Sequence, residues 1–141
     1  MVAYNSLMDV DDMPAVCAEI GRVLEPGRRA CVCVQHPVWD AGKFVGRGPD
    51  APFELGPTYF GPRPFAATEE RNGLAVNFRG WCYSIDDYAR AFEASGFVIE
   101  ALREPRPGPG ASPTSRGWRL PIFLMLRLLK LSERPSPTAH A

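Results

Sequence analysis

The sequence predicts an α/β fold in one domain, on three observations. A short apolar run, Val2-Ala3-Tyr4, precedes a helix-start signal and then the strand-like run Arg29 to Gln35, RACVCVQ. A second helix signal, at Ser84, leads into the apolar run Phe97 to Leu102. The length of 141 residues suits one domain, since domains run about 100 to 200 residues, and 45% hydrophobic content supplies a core.

Val2-Ala3-Tyr4 stops at Asn5-Ser6, as the end of a buried strand does. Asp11-Asp12-Met13-Pro14 places acids and a proline at a helix start, and Val16, Ile20, Val23 and Leu24 recur at i, i+4, i+7 and i+8. Pro26-Gly27 ends that helix. RACVCVQ is nearly continuously apolar, the pattern of a strand covered on both faces. Strand, helix and strand with short links form one βαβ unit, hence a parallel pair with a right-handed crossover.

The rhythm breaks over residues 37 to 79, where prolines and glycines are scattered among aromatics. So long a connection predicts a lid or binding insertion. Within it Asn72-Gly73 separates Thr68 to Arg71 from Leu74 to Phe78 and predicts a β-hairpin, because that dipeptide supplies the positive φ angles of a tight turn. Ser84 with Asp87 three residues on is a capping box, and Ile85, Tyr88, Ala89 and Phe92 form one apolar stripe ended by Gly96. Phe97 to Leu102 reads as a strand and Glu104 to Ser115 as a loop. Trp118 to Leu129 is apolar throughout, which by itself fits a closing strand or a buried helix; the strand is preferred. The domain is placed at residues 1–131, and residues 132–141 read as a polar, disordered tail.

Composition limits the functions. Sixteen basic and sixteen acidic residues cancel, so no net field draws a nucleic acid. No apolar run reaches the about 18 residues of a membrane span, and no signal peptide opens the chain, so no membrane partner is expected and a cytoplasmic location follows by default. Cys17, Cys31, Cys33 and Cys82 lack metal-site spacing and sit in apolar stretches, which reads as reduced, buried thiols with no metal.

The segments VAYNSLMDVDDMP, AEIGRVLEPGRRACVCVQHP and GWCYSIDDYARAFEASGFVIEALREP resemble, in order and spacing, the C-terminal half of a class I S-adenosylmethionine-dependent methyltransferase of the small-molecule, Rossmann-like type. The resemblance runs from Val2 to about Lys130. It implies the C-terminal part of that family's sheet with an inserted lid, S-adenosylmethionine as cofactor and a small-molecule methyl acceptor. Asn5, Ser6 and Leu7 would line the methionine end of the cofactor. His36 would be a base for the acceptor, and Tyr59, Phe60 and Trp81 would wall the substrate pocket.

The family's glycine-rich cofactor turn has no counterpart here. Gly46 with Gly48, and Gly108 with Gly110, neither follow a strand nor open a helix. The chain starts at what would be the fourth strand, so Val2 to Tyr4 would present an open edge where another strand could pair. A longer product begun upstream of Met1 or a truncated remnant would explain this, and an isolated chain would be inactive. A different class of function, a non-catalytic interaction module or one half of a split enzyme completed by strand addition, fits the same edge.

Overall fold

The protein, a computed structural model, is described over residues 1–46 and 48–132. Beyond Ser132, the expected tail lies outside the described residues. In chain order the elements are β1 (Val2–Tyr4), α1 (Met13–Val23), β2 (Arg29–Gln35), the single turn α2 (Pro37–Asp40), β3 (Gly42–Phe44), β4 (Phe53–Leu55), β5 (Arg63–Arg71), β6 (Leu74–Cys82), α3 (Ile85–Ala94), β7 (Phe97–Arg103) and β8 (Phe123–Lys130).

The main sheet has the order β1-β2-β8-β7. β1 pairs with β2 in parallel, the βαβ unit expected, whereas β8 runs antiparallel between β2 and β7. The run after Trp118 is thus a strand, preceded by a 3-10 turn at Arg116–Trp118. On one sheet face Ala30, Val32 and Val34 of β2 and Leu124, Leu126 and Leu128 of β8 are buried. Met13, Cys17 and Ile20 of α1 and Tyr88, Ala91 and Phe92 of α3 close that core.

Of the expected α1 stripe, Ile20 is buried and Val16 and Leu24 pack against the core, while Val23 is 58% exposed. Met13, Cys17 and Gly21 extend the inward face. At Gly21 a Cβ would lie 2.5 Å from the Ser95 carbonyl oxygen, so α1 meets the end of α3 through its bare backbone. The caps fall where expected. Asp12 Oδ1 accepts the Ala15 N–H at 2.9 Å, and Ser84 and Asp87 form a reciprocal box with bonds of 2.8 and 3.1 Å.

The opposite sheet face carries no helix among the described residues. Val2 and Tyr4 are 72% and 62% exposed, Met125 is 40% exposed, and Cys31 lies open, in contrast to the buried thiol expected. The strand was expected to be covered on both faces; α1 and α3 cover only one. A bulge in β7 takes Glu100 out of the one-to-one register. Glu100 bridges Arg29 at 2.8 Å and Arg127 at 2.7 Å on this face, and the hydrogen bond from Arg29 holds its carboxyl down to about 2.

Residues 37–79 are more ordered than their composition suggests. They hold α2, the short β3–β4 ladder and the β5–β6 hairpin, which extends to Cys82. Asn72 and Gly73 have φ of 53° and 76°, the geometry that a two-residue hairpin turn demands.

Candidate functional site

The parallel strands β1 and β2 end beside one another, at the edge where open α/β sheets bind ligands. The loop after β1 and the base of the hairpin enclose a cavity of about 240 Å³ there. Asn5, Gln35, Asp40 and Trp81 line it with Phe65 and Phe78. Ligand pockets commonly span about 300 to 1,000 Å³, so this cavity is smaller than most.

Asn5 is held at the end of β1 by its N–H, which donates to the Cys33 carbonyl at 2.8 Å. Its φ of 46° is left-handed, a conformation that Asn tolerates better than most residues. Its Oδ1 is buried without a hydrogen-bond partner among the described residues. A buried acceptor of this kind costs about 1 to 3 kcal/mol unless a donor meets it.

The hairpin is pinned over the cavity at residues 80 and 81. The Trp81 N–H donates to the Met8 carbonyl at 2.8 Å, and the indole Nε1–H donates to Asp11 at 3.3 Å. Gly80 permits this approach, since a Cβ there would lie 2.5 Å from the Met8 oxygen. Gly80→Val is expected to push the hairpin off the loop and cost about 1 to 3 kcal/mol, read as a lower urea midpoint with a shifted Trp fluorescence maximum.

The structure places the other expected site residues elsewhere. Ser6 is exposed and its carbonyl accepts the Asp9 N–H at 3.1 Å, while Leu7 is 1% exposed within the core. Of the three residues after β1, Asn5 alone lines the cavity. His36 is also 1% exposed, and both of its ring nitrogens are engaged. Nδ1 accepts the Val38 N–H at 3.1 Å as the N-cap of α2, which leaves the proton on Nε2, 2.9 Å from Glu104 Oε1. His36 therefore has no free nitrogen to serve as base, and it does not line the cavity.

Tyr59 and Phe60 do not wall the cavity either. The Tyr59 hydroxyl accepts the Ile85 N–H at 3.0 Å, satisfying a donor at the start of α3. Phe60 packs edge-on to Tyr59 and is 71% exposed.

Two residues carry chemistry that the sequence did not signal. Asp40, at the end of α2, accepts a hydrogen bond from Gln35 Nε2, and its backbone carbonyl accepts from Arg63 Nη2 at 3.5 Å. Burial pushes the Asp40 carboxyl up to about 6, against the lowering pull of the Gln35 hydrogen bond and the Arg63 charge. Arg63 Nε is buried with no partner among the described residues. Pro37 at the first position of a helical turn was the available clue to α2, and hence to the place of Asp40 beside Gln35.

For S-adenosylmethionine the donor set fits in part. Asn5 Oδ1 offers a free acceptor at the strand ends, but no glycine-rich turn follows β1 or β2 to take a nucleotide. The positive-φ glycines, Gly27, Gly46, Gly73 and Gly96, sit in turns outside the cavity lining.

No family model and no curated protein matches the sequence. Solved structures do match. A protein assigned as an S-adenosylmethionine-dependent methyltransferase from Listeria monocytogenes aligns with 93% of this chain at TM-score 0.73 and 18% identity. An S-adenosylmethionine-dependent methyltransferase from Mesorhizobium loti aligns with 92% at TM-score 0.70 and 19% identity. The glycopeptide N-methyltransferase MtfA, solved with S-adenosyl-L-methionine, aligns with 92% at TM-score 0.53 and 15% identity. The chain spans 60% of the length of each of the first two and 56% of the third. With its strand order β1-β2-β8-β7 and its inserted hairpin, the chain has the fold of part of a Rossmann-like, class I methyltransferase domain.

Proposed function

We propose that this chain forms the acceptor-side wall of an S-adenosylmethionine-dependent methyl-transfer site acting on a small molecule. The observation that carries the reading is the cavity at the ends of β1 and β2, with an unpaired Asn5 Oδ1 and aromatic walls. The fold shared with structures assigned as methyltransferases supports it. When bound, S-adenosylmethionine supplies a methyl group on a sulfonium, and transfer is an in-line displacement helped chiefly by positioning. The chain's share is to hold the acceptor. Asn5 faces the methionine end of the donor, the indole of Trp81 packs against the acceptor, and the hairpin over the cavity excludes water.

The adenosine cradle is not furnished by these residues, so the isolated chain is inactive in this reading. A partner strand that supplies it would add in parallel to β1, whose outer edge is unpaired among the described residues. That edge equally favours the second reading, an interaction module without catalysis.

Calorimetry with S-adenosylmethionine tests both. The 141-residue chain should give no heat of binding at micromolar concentration, and the chain joined to residues translated from upstream of Met1 should bind. Micromolar binding by the chain alone overturns the half-site reading. Absence of binding by the joined protein overturns methyl transfer and leaves the interaction module.

A further inference from the structure

Asp40 stands between two openings in the surface. It lines the cavity with Asn5 and Trp81, and on its other side it lines a second recess with Arg63, Lys43 and Glu54. The first opening presents the Asp40 carboxylate and the rings of Trp81, Phe65 and Phe78, with Asn5 beside them. Carboxylate and ring faces together select a cation that can donate hydrogen bonds. On the other side the Arg63 guanidinium, tied to the Asp40 carbonyl, supplies an opposite charge.

We propose that the methyl acceptor is an amine held by the Asp40 carboxylate against the ring of Trp81, that Asp40 takes up its proton, and that Arg63 is a positioning residue keeping Asp40 charged. This rests on the methyl-transfer reading and names its acceptor class. The amine arrives as an ammonium and passes one proton to the Asp40 carboxylate. The freed nitrogen lone pair forms the N–C bond as the C–S bond breaks, and the electron pair of that bond returns to sulfur. Asp40 then yields its proton to water.

The charged and titratable groups around Asp40 belong to every neighbouring element. Asp9 and Arg79 line the same cavity, and Lys43 and Glu54 line the recess. Cys82 and Tyr88 both feel the Asp40 charge, and burial foremost drives both upward, so both stay neutral where Asp40 titrates.

NMR of the full 141-residue chain tests the proposal without the methyl donor. The probe is benzylammonium chloride, with benzyl alcohol as its uncharged control. Saturable shifts are expected at the Asn5 side-chain amide and the Trp81 indole, at least tenfold weaker in Asp40→Asn, restored in part by Asp40→Glu, and weakening as pH falls through about 6. Equal binding of benzyl alcohol, or no saturable shift at Asn5 and Trp81, overturns the amine assignment. In Arg63→Gln the Asp40 carboxyl-carbon titration should move to higher pH; an unmoved midpoint overturns the role of Arg63. Failure here leaves a methyl-transfer site for another acceptor, whereas failure of the donor calorimetry leaves the amine site standing.

Discussion

Phe92→Ala is expected to lower the stability of the chain by about 3 to 5 kcal/mol, the usual cost of emptying an aromatic site in a core. Phe92 is 1% exposed and its ring stacks on Tyr88 at 6.3 Å. It belongs to the cluster that joins α1 and α3 to Leu124, Leu126 and Leu128 of β8. Among the described residues helices cover one sheet face, so no second layer there compensates for the void. Single domains have about 5 to 15 kcal/mol in total, so this one change removes a large share. Urea denaturation read by circular dichroism checks it; a loss under about 1 kcal/mol would mean that α3 is not seated on the sheet as described.

The second large effect has the opposite sign. Asp40→Asn is expected to stabilise the chain above pH 6 while it weakens amine binding. The folded-state pKa of Asp40, about 6, exceeds its ordinary value of 3.8 because burial penalises the charge. A carboxyl raised in this way contributes stability below its unfolded pKa and loses that contribution as pH rises through the folded one. The loss falls between about pH 4 and 6 and amounts to about 2 to 3 kcal/mol, at 1.36 kcal/mol for each pKa unit. Asparagine carries no charge to bury, so the variant escapes the loss.

Glu100 runs the other way. Its pKa is held down to about 2 by Arg29 and Arg127, so its contribution is present above about 4.5 and fades as pH falls toward 2. Stability of the parent protein is therefore expected to rise from pH 2 and to decline again by pH 6. Urea midpoints measured across that range check both limbs, and a parent and Asp40→Asn whose midpoints change alike between about pH 4 and 6 would contradict the burial of a charge at Asp40. A residue that destabilises the fold and lies in a cavity at the strand ends is characteristic of function retained at a cost in stability.

Much of the framework was legible because short-range chemistry decides it. Asp12, Ser84 with Asp87, Gly96 and the Asn72-Gly73 turn each sit where local backbone needs define them, and all four fall where the sequence placed them. β3 and β4 were not legible: at three residues each, they are too short for an alternating pattern to emerge. The stripe of α1 was legible at Val16, Ile20 and Leu24 but not at Gly21, a residue without a side chain, which sets the contact with α3.

The site was less legible than the fold. Asn5 and Trp81 were found by resemblance and do line the cavity, but Asp40 and Arg63 lie 23 residues apart and meet only through the folding of the insertion. His36 drew attention because imidazole is chemically versatile. Its partners, the Val38 N–H and Glu104, are invisible as partners in sequence, and they leave it a structural cap.

The place of β8 has a consequence for synthesis of the chain. Residues 123–130 are made after every other strand, yet they sit between β2 and β7 and bond to both. On the ribosome β2 and β7 emerge with a gap between them that no earlier described strand fills. The nascent polypeptide must wait, with its future core open to chaperones, until β8 slides into the middle and joins β2 to β7.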